Sequence, residues 1–268
     1  MSSNEADGRE IMKWDPGLTK RMISAAEPIA KRWFRTEIRG LESFPRSGGA
    51  LVVSNHSGGI LTVDVLLFAA AFYRRFGYDR PLYTLGHDAL FVGPLARWMT
   101  GIGVIHAGRD NAEEALRSGG VVLVFPGGVY DSYRPTVSQN VIDFNGRTRY
   151  VGTAVAAEVP IVPTVSIGGQ ESQLFLTRGT WLANRLRLNR LRSDILPVTI
   201  GFPFGLSAVL PVNIPLPTKI VTEVLEPVDA RAEYGDDPGM EKLDEHVRSL
   251  MQTGLDRLAG ERRFPVLG

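Results

Sequence analysis

The sequence predicts an α/β fold in which one mostly parallel or mixed sheet is flanked by helices, with an N-terminal amphipathic helical segment. Two observations support this prediction. Short β-branched runs bounded by Gly, Pro or Asn alternate with segments whose apolar residues recur at helical spacing, and this alternation favours a sheet covered on both faces. No internal repeat or Gly/Ser-rich linker divides the chain. We therefore expect an N-terminal interfacial segment over residues 1–35 and a single domain over residues 36–268.

Several short runs are predicted to be buried strands, and the segments between them are predicted to be helices. The strands are expected at 50–54, 82–85, 103–106, 120–125, 160–166 and 219–225. The helices are expected at 62–74, 89–99, 111–117, 148–158 and 240–258, the last of which closes the domain. Asp110 precedes the third of these helices and is predicted to be its N-cap, because a short acceptor side chain can bind the free amides of a first turn.

The N-terminal segment carries an apolar stripe at helical spacing beside a cluster of basic residues. Pro28 is expected to kink this helix because proline lacks an amide hydrogen. Such a stripe is typical of a helix that lies in a membrane interface, but a helix packed on the core has the same pattern, and the sequence leaves both readings open. The stripe consists of Leu18, Met22, Ala25, Ala26, Ile29 and Trp33, and the basic residues are Lys20, Arg21, Lys31, Arg32 and Arg35.

The composition is that of a folded globular protein. Of the 268 residues, 44% are hydrophobic and 22% are charged, which excludes a disordered chain, a coiled coil and a collagen-like fibre. The chain has no cysteine, so disulfides, thiolate metal sites and cysteine nucleophiles are excluded. Its 30 basic residues balance 29 acidic ones, which argues against nucleic acid as a partner. Because His87, His106 and His246 are far apart in the sequence, no metal site is expected.

The sequence predicts surface association with a membrane and no membrane span. The first residues are polar, unlike a signal peptide; the apolar segment 61–73 is too short to span, and 195–218 contains five prolines. A basic stretch from Arg178 to Arg192 includes Arg185, has Leu and Trp interleaved and has no acidic residue. This pattern favours lipid headgroups or the phosphates of a carrier as partners. We therefore expect a protein bound peripherally to the cytoplasmic face of an anionic membrane.

The turn after the predicted strand 50–54 carries the first candidate chemical group. His56 lies in a Gly-rich turn between a strand and a helix, where ligands of open α/β sheets bind. Asp64 lies in the following helix and is a candidate to hold the second ring nitrogen of His56. Free amides at the start of that helix are expected to stabilise an oxyanion. A histidine in a purely structural role is the alternative reading of this pair.

Three further motifs follow this Asn-His turn in order. They are the block Gly103–Arg109, the block Phe125-Pro126-Gly127-Gly128 and the run Val-Pro-Ile-Val-Pro at 159–163. In this order the set resembles the glycerolipid acyltransferases, the PlsC-like lysophospholipid acyltransferase family, and the resemblance extends over much of the chain. Four ordered motifs are a specific signal, whereas each motif alone is weak.

The resemblance implies an O-acyltransferase domain over residues 36–268. By that resemblance, His56 would be the general base that takes the proton of an acceptor hydroxyl, and Asp64 would orient it. The hydroxyl would attack the thioester of acyl-CoA or of an acyl carrier protein, with no covalent acyl-enzyme, no metal and no cofactor. Arg109 would hold an acceptor phosphate. The other substrate-binding positions that the resemblance implies are Asn55, Gly58, Gly59, Phe125, Pro126, Gly127 and Gly128.

The chain departs from the family pattern at two positions. The family usually has Asp five positions after His, whereas Asp64 follows His56 by eight positions. Either Ser57-Gly58-Gly59 is an insertion that restores the geometry, or Asp64 is structural. Gly127 stands where the phospholipid-making members have Glu, and in this it resembles the branch that contains the type-2 diacylglycerol acyltransferases. Both a lysophosphatidate or lysophospholipid and an acylglycerol are therefore candidate acceptors.

Other residues and functions complete the sequence-based predictions. Candidate contacts to phosphate, CoA or lipid headgroups are Arg134, Arg149, Arg178 and Arg185. Asp131 is expected on the loop beside the site. Two alternatives to the glycerolipid enzyme stay open: a catalytically inactive lipid-binding or carrier protein on the same fold, and an ester synthase that uses a long-chain alcohol. The separation of the His56 ring from the Asp64 carboxylate discriminates the enzyme from the binding protein.

Overall fold

The computed structural model describes residues 10–188, 194–208, 210–235, 239–264 and 266–267. In these ranges the strands are β1 (Glu37–Arg39), β2 (Ala50–Ser54), β3 (Leu82–Gly86), β4 (Val104–His106), β5 (Val121–Val124), β6 (Ile161–Ile167), β7 (Leu174–Thr177), β8 (Val198–Gly201), β9 (Gly205–Ser207) and β10 (Val221–Val224). The helices are α1 (Pro16–Pro28), α2 (Val63–Phe76), α3 (Pro94–Gly101), α4 (Arg109–Arg117), α5 (Gly128–Ser132), α6 (Arg149–Ala157), α7 (Thr180–Arg185), α8 (Ala230–Tyr234) and α9 (Met240–Glu261).

The main sheet is mixed but mostly parallel. Its strand order, for the described residues, is β1-β10-β6-β2-β5-β3-β4. The strands from β6 to β4 in this order run parallel to one another, whereas β10 is antiparallel to β6 and parallel to β1. The predicted fold class is thereby confirmed. Because β2 lies between β5 and β6, the loops that follow these three strands meet at one edge of the sheet, where ligands of such sheets bind.

The side chains of β2 show how the sheet is covered. Ala50 and Val52 face a core formed with α1 and α2. Leu51 and Val53 face a second core, formed with α4, α6 and α9. All four side chains are buried, as expected for a strand of a parallel sheet with helices on both faces.

Two helix starts differ from the predictions. The segment predicted as a helix over 89–99 is a 3-10 turn at Asp88–Leu90, and α3 begins only after Gly93, whose φ of +58° interrupts the helix. α4 begins at Arg109, so the predicted N-cap Asp110 lies in the first helical turn instead. Its negative charge is favourable there because the free amides at a helix start carry partial positive charge.

The N-terminal segment packs on the core and also exposes apolar side chains near its C-terminal end. α1 ends at Pro28, where the predicted kink takes the form of a change to a π-helical turn at Ile29–Trp33. Ile23 is buried in the core with α2, whereas Ile29 and Trp33 are exposed. Ala30 and Phe34 are buried in a cluster with Val63 and Leu67 of α2. The segment therefore packs on the core along its length and presents apolar side chains to solvent only on the other side of its second half.

A second sheet, antiparallel and three-stranded, was not predicted. It has the order β7-β8-β9 and is built largely from the Pro-rich segment 195–218. Its strands are short and are bounded by glycine and proline, so the alternating pattern of a strand is too brief to recognise. Of the basic stretch, α7 is helical, and Arg190 and Arg192 lie outside the described residues. No described helix is both long enough and apolar enough to cross a bilayer.

Candidate active site

The turn after β2 brings His56 and Asp64 into direct contact. Nδ1 of His56 lies 2.8 Å from Oδ2 of Asp64. The spacing of eight residues is accommodated by a 3-10 turn, Gly59–Leu61, that precedes α2. Gly58 and Gly59 have φ values of +82° and +63°, which glycine adopts without strain, so the chain can add this turn. The hydrogen bond agrees with the insertion hypothesis.

The imidazole of His56 contacts the ring of Phe125 as well as the carboxylate of Asp64. The ring of Phe125 stacks on the imidazole with a centroid distance of 4.3 Å and an angle of 29° between the planes.

Burial lowers the pKa of His56, but the charge and hydrogen bond of Asp64 and the charge of Asp131 raise it by more, so that the pKa lies above its ordinary value. Because Nδ1 faces a carboxylate, the neutral ring carries its proton on Nδ1 and a lone pair on Nε2. The ring can therefore accept a proton at Nε2.

Three consecutive backbone amides of the turn are bound by side chains from other segments. The three bonds run from His56 N to Asp131 Oδ2 at 2.6 Å, from Ser57 N to Asp64 Oδ2 at 2.8 Å and from Gly58 N to Gln170 Oε1 at 3.4 Å. They hold the backbone on both sides of the imidazole. These three amides already have acceptors, so none of them is free to bind an oxyanion. The oxyanion role expected of the amides at the start of α2 stays a prediction.

Asp131 lies inside the site and not on the loop that the sequence suggested. It belongs to α5 and is 2% exposed, because this short helix turns the carboxylate inward toward the turn after β2. Its Oδ1 accepts hydrogen bonds from Nε and Nη2 of Arg134 at 3.1 and 2.7 Å. Arg134 is 4% exposed, so its guanidinium is engaged within the protein. Burial raises the pKa of Asp131, and the charge of Arg134 opposes that change.

Asn55 connects the ends of β2 and β6. Its Nδ2 donates to the carbonyl oxygen of Ser166, and its Oδ1 accepts from the amide of Ser166, both at 2.8 Å. The side-chain amide thus binds the backbone with both its nitrogen and its oxygen. Asn55 therefore supports the position of its neighbour His56 and extends the pairing of the two strands by one pair of hydrogen bonds.

The glycines after Phe125 are explained by close packing. A Cβ atom built on Gly127 would lie 2.4 Å from Cβ of Asp131, far closer than non-bonded carbons approach. Gly128 has a φ of +50°, and Nη1 of Arg147 binds the carbonyl oxygens of Pro126 and Gly127 at 3.2 and 2.6 Å. A side chain at position 127 and Asp131 in its present place therefore exclude each other.

Arg109 lies at the start of α4, after the edge strand β4. Its Nε donates to Oε1 of Glu113 at 2.6 Å, and its side chain is mostly exposed. β4 is three strands away from β2, which corresponds to about 14 Å at the usual spacing of strands. The role of Arg109 toward a phosphate stays a prediction.

The remaining predicted cationic contacts lie at separate places. Arg149 at the start of α6 and Arg185 at the end of α7 are exposed. Arg178 lies over the ring of Tyr130 at 3.8 Å and donates from Nε to the carbonyl oxygen of Tyr130 at 2.8 Å. Arg178 therefore borders α5, the helix that carries Asp131. Binding of lipid or CoA by these arginines stays a prediction.

Two features of the site were missed in the sequence. Gln170 follows β6 at the carboxyl edge of the sheet, and the rule that sites form beyond strand ends could have indicated it. The Asp131–Arg134 pair has a spacing of three residues shortly after the Phe-Pro-Gly-Gly block, a spacing at which opposite charges can meet over one turn of the chain, although Arg134 itself lies just beyond α5.

Residues 35–167 match the family described as Acyltransferase. They form an acyltransferase domain of the PlsC-like family. The matched segment contains His56, Asp64, Phe125 and Asp131, and thus most of the groups that surround the imidazole.

Individual proteins similar to this chain include two known from their sequences and one known from its structure. An uncharacterised protein of Mycobacterium tuberculosis is 33% identical over 241 residues, and the alignment covers 87% of this chain but only 64% of that protein, less than two thirds of its length. A protein of Bos taurus named DGAT1/2-independent enzyme synthesizing storage lipids is 26% identical over 255 residues, covering 94% of this chain and 72% of that protein. The 1-acyl-sn-glycerophosphate (LPA) acyltransferase PlsC of Thermotoga maritima has the same fold, with a TM-score of 0.57 at 18% identity, covering 90% of this chain and 79% of that one.

Proposed function

We propose that this protein transfers a fatty acyl chain from a thioester to a hydroxyl group of an acylglycerol. The observation that carries the proposal is the 2.8 Å contact between His56 and Asp64 within an acyltransferase domain. A histidine that is oriented by a carboxylate, and that lies at the carboxyl edge of the central strand, is equipped for general-base catalysis. The distance lies within hydrogen-bond reach, which favours the enzyme over a protein that only binds lipids.

In the proposed reaction His56 is the general base and Asp64 orients it. Nε2 of His56 takes the proton of the acceptor hydroxyl while the hydroxyl oxygen attacks the carbonyl carbon of the thioester. The tetrahedral intermediate expels the thiolate, which takes the proton back from His56. The products are an ester and a free thiol, so the reaction is balanced without a covalent acyl-enzyme, a metal or a cofactor.

Two features favour a neutral acylglycerol over a phosphorylated acceptor. The guanidinium groups of Arg134 and Arg109 are each bound to a carboxylate, that of Asp131 and that of Glu113 respectively. Arg134 therefore presents no uncompensated positive charge to a phosphate. Arg109 shares Glu113 with Arg117, and it follows β4, which is three strands away from β2 and His56. The name of the bovine relative refers to storage lipids, which are neutral.

The donor in this proposal is acyl-CoA or an acyl carrier protein, and the acceptor is a membrane lipid. A water-soluble thioester and a bilayer-resident acylglycerol meet at the membrane surface. We therefore place the protein peripherally on the cytoplasmic face of an anionic membrane. The exposed apolar residues Ile29 and Trp33 support this placement.

The experiment measures the release of free thiol. The purified chain is given one long-chain acyl-CoA with, in turn, monoacylglycerol, diacylglycerol, lysophosphatidate, a lysophospholipid and a long-chain alcohol. Because the chain has no cysteine, a thiol reagent reports released CoA without background from the protein. We expect turnover with the acylglycerols and a loss of roughly 10²–10⁴-fold in His56→Ala. His246→Ala, on α9, is the matched control and should keep the full rate.

Each other outcome contradicts a specific part of the proposal. Normal turnover in His56→Ala refutes the mechanism. A preference for lysophosphatidate overturns the assignment of a neutral acceptor, and turnover with the long-chain alcohol alone indicates an ester synthase. Absence of thiol release with every acceptor, while lipid is still bound, identifies a lipid-binding protein.

A further inference from the structure

An uncharged apolar segment lies on the surface beside the small antiparallel sheet. Residues 195–218 contain no charged side chain. A segment of this composition is normally buried, yet Phe202, Leu206 and Leu210 are 74%, 67% and 70% exposed. A cluster of large exposed apolar side chains marks a site of contact with another protein or with a membrane.

The N-terminal segment extends this surface. Nε1 of Trp33 donates to the carbonyl oxygen of Pro215 at 2.9 Å, and the amide of Ile214 donates to the carbonyl oxygen of Phe202 at 2.8 Å. These contacts bring the exposed residues Ile29 and Trp33 beside the uncharged segment. We name the combined surface the apolar face; it consists of Ile29, Trp33, Phe202, Phe204, Leu206, Leu210 and Ile214.

The turn between β8 and β9, which carries Phe202 and Phe204 of the apolar face, is held in a fixed conformation. Asn213 is buried beneath the turn that joins β8 and β9. Its Oδ1 accepts from the amide of Phe204 at 3.0 Å, and its Nδ2 donates to the carbonyl oxygen of Gly205 at 3.1 Å. Phe202 and Phe204 are thus presented by an ordered turn. Exposed aromatic rings are favourable where a protein meets the interfacial region of a bilayer.

The charges that border the apolar face indicate what it binds. Lys31 and Arg32 are exposed in the same π-helical turn as Ile29 and Trp33, and Lys31 also binds Glu27 at 2.7 Å. Arg185 and Arg187 are exposed N-terminal to the uncharged segment, where Asp194 is the one acidic residue among the described positions from 178 to 194. An apolar centre with a basic margin complements a bilayer that contains anionic lipid. This inference rests on the proposed function, in which the acceptor is a membrane lipid. We propose that the apolar face docks on an anionic bilayer and inserts Phe202 and Phe204 below the headgroups.

The small sheet that carries the face is joined to the candidate active site. The amide of Phe175 in β7 donates to Oγ1 of Thr136 at 3.0 Å, and its ring packs edge-to-face on Tyr133 at 5.5 Å. Tyr133 directly follows α5, which carries Asp131. Docking of the apolar face therefore also orients the His56 site relative to the membrane that supplies the acceptor.

The first experiment measures insertion directly. Because the chain has no cysteine, Phe202→Cys provides a single position for labelling, and Glu114→Cys at an exposed position of α4 provides the matched control. Each labelled protein carries an environment-sensitive fluorophore and is mixed with vesicles of phosphatidylcholine and phosphatidylglycerol. We expect a blue shift and stronger emission for the label at 202 and no change for the label at 114.

Two results of this experiment overturn the proposal. One is emission at position 202 that stays unchanged when the vesicles are added. The other is a shift at 202 that needs no vesicles and grows with protein concentration, because that behaviour identifies a second copy of the chain as the occupant.

The second experiment separates docking from catalysis. Phe202→Ser/Phe204→Ser should weaken vesicle binding by at least about a hundredfold, because the transfer of each phenylalanine ring from water into the bilayer contributes about tenfold or more. Met12→Ser, at an exposed apolar position outside the apolar face, should bind as the wild type does. His56→Ala should also bind normally, so a failure of the proposed reaction leaves the binding result intact. Normal vesicle binding by the double serine variant overturns the proposal.

Turnover provides a second measure of the same variant. With the acceptor dispersed in detergent, the double serine variant should match the wild type, since neither phenylalanine belongs to the His56 site. With the acceptor held in vesicles, its turnover should decrease together with its binding. Equal losses under both conditions refute a docking role, because they indicate damage to the site.

Discussion

Removal of one charge from the buried Asp131–Arg134 pair is a direct test of how the site is held together. Asp131→Asn keeps the size of the side chain and leaves an oxygen that can accept from the amide of His56. It removes the negative charge that faces the guanidinium of Arg134. The two residues are 2% and 4% exposed, so water has little access to replace the lost carboxylate.

The expected loss of stability is large. Leaving one member of a buried ion pair without its partner costs about 3–5 kcal/mol, whereas a domain has about 5–15 kcal/mol of stability in total. The control is Glu158→Gln, which removes a pair with Arg231 whose N–O distance is 3.7 Å and whose side chains are mostly exposed. Loss of such a surface pair costs roughly 0–1 kcal/mol.

A double variant shows whether the stranded charge is the cause. In Asp131→Asn/Arg134→Met both charges are gone and the volume is roughly kept, and such replacements of a buried pair are often tolerated. We therefore expect the double variant to regain much of the stability that the single variant loses.

The assay is urea unfolding followed by circular dichroism, with the free energy of unfolding extrapolated to water. All four proteins are compared under the same conditions. A loss below about 1 kcal/mol in Asp131→Asn, equal to that of the surface control, refutes the reasoning, since burial would then not make this pair different from an exposed one.

Three further predictions concern activity and packing. Since His56 must be neutral to accept a proton and Asp64 raises its pKa, kcat/KM should fall as the pH decreases through that raised pKa; Asp64→Asn should move the midpoint of the pH profile to lower pH, and an unmoved midpoint contradicts the assignment. Gly127→Ala should lower the free energy of unfolding in urea by about 1–3 kcal/mol, because its methyl group clashes with Asp131. Gly127→Ala/Asp131→Gly removes the clash, so it should lose less stability than the sum of the two single variants; strictly additive losses count against the clash. Arg109→Ala should leave kcat/KM for an acylglycerol unchanged within about twofold, and a selective loss with lysophosphatidate would show that this arginine reads a phosphate.

The sequence was sufficient to predict the structure where residues close together in the chain determine the local conformation. β2 is a continuous apolar run, which predicts a strand covered on both faces, and His56 follows it directly. The contact of His56 with Asp64 could also be predicted, because Gly58 and Gly59 supply the positive φ values that a longer turn needs. These features depend on local conformation, which the residue types encode.

Contacts between distant residues were not accessible in this way. Asp131 is 75 positions away from His56, and Gln170 is 112 positions away from Gly58. No periodicity specifies which side chain after a strand turns inward, so the sequence predicts a loop position for Asp131. The sheet edge was predictable from the alternation of strands and helices, but the partners that meet there depend on packing in three dimensions.

The three occupied amides of the turn also determine when the imidazole becomes ordered. Each amide from His56 to Gly58 is bound to a different segment, so the turn loses its freedom when the domain folds and not when a substrate arrives. Ordering a backbone costs about 1–2 kcal/mol per residue, and substrate binding does not have to supply that energy here. Changes in the surrounding loops can therefore alter which lipid is accepted without loosening the histidine, so that selectivity and base positioning can evolve separately in this domain.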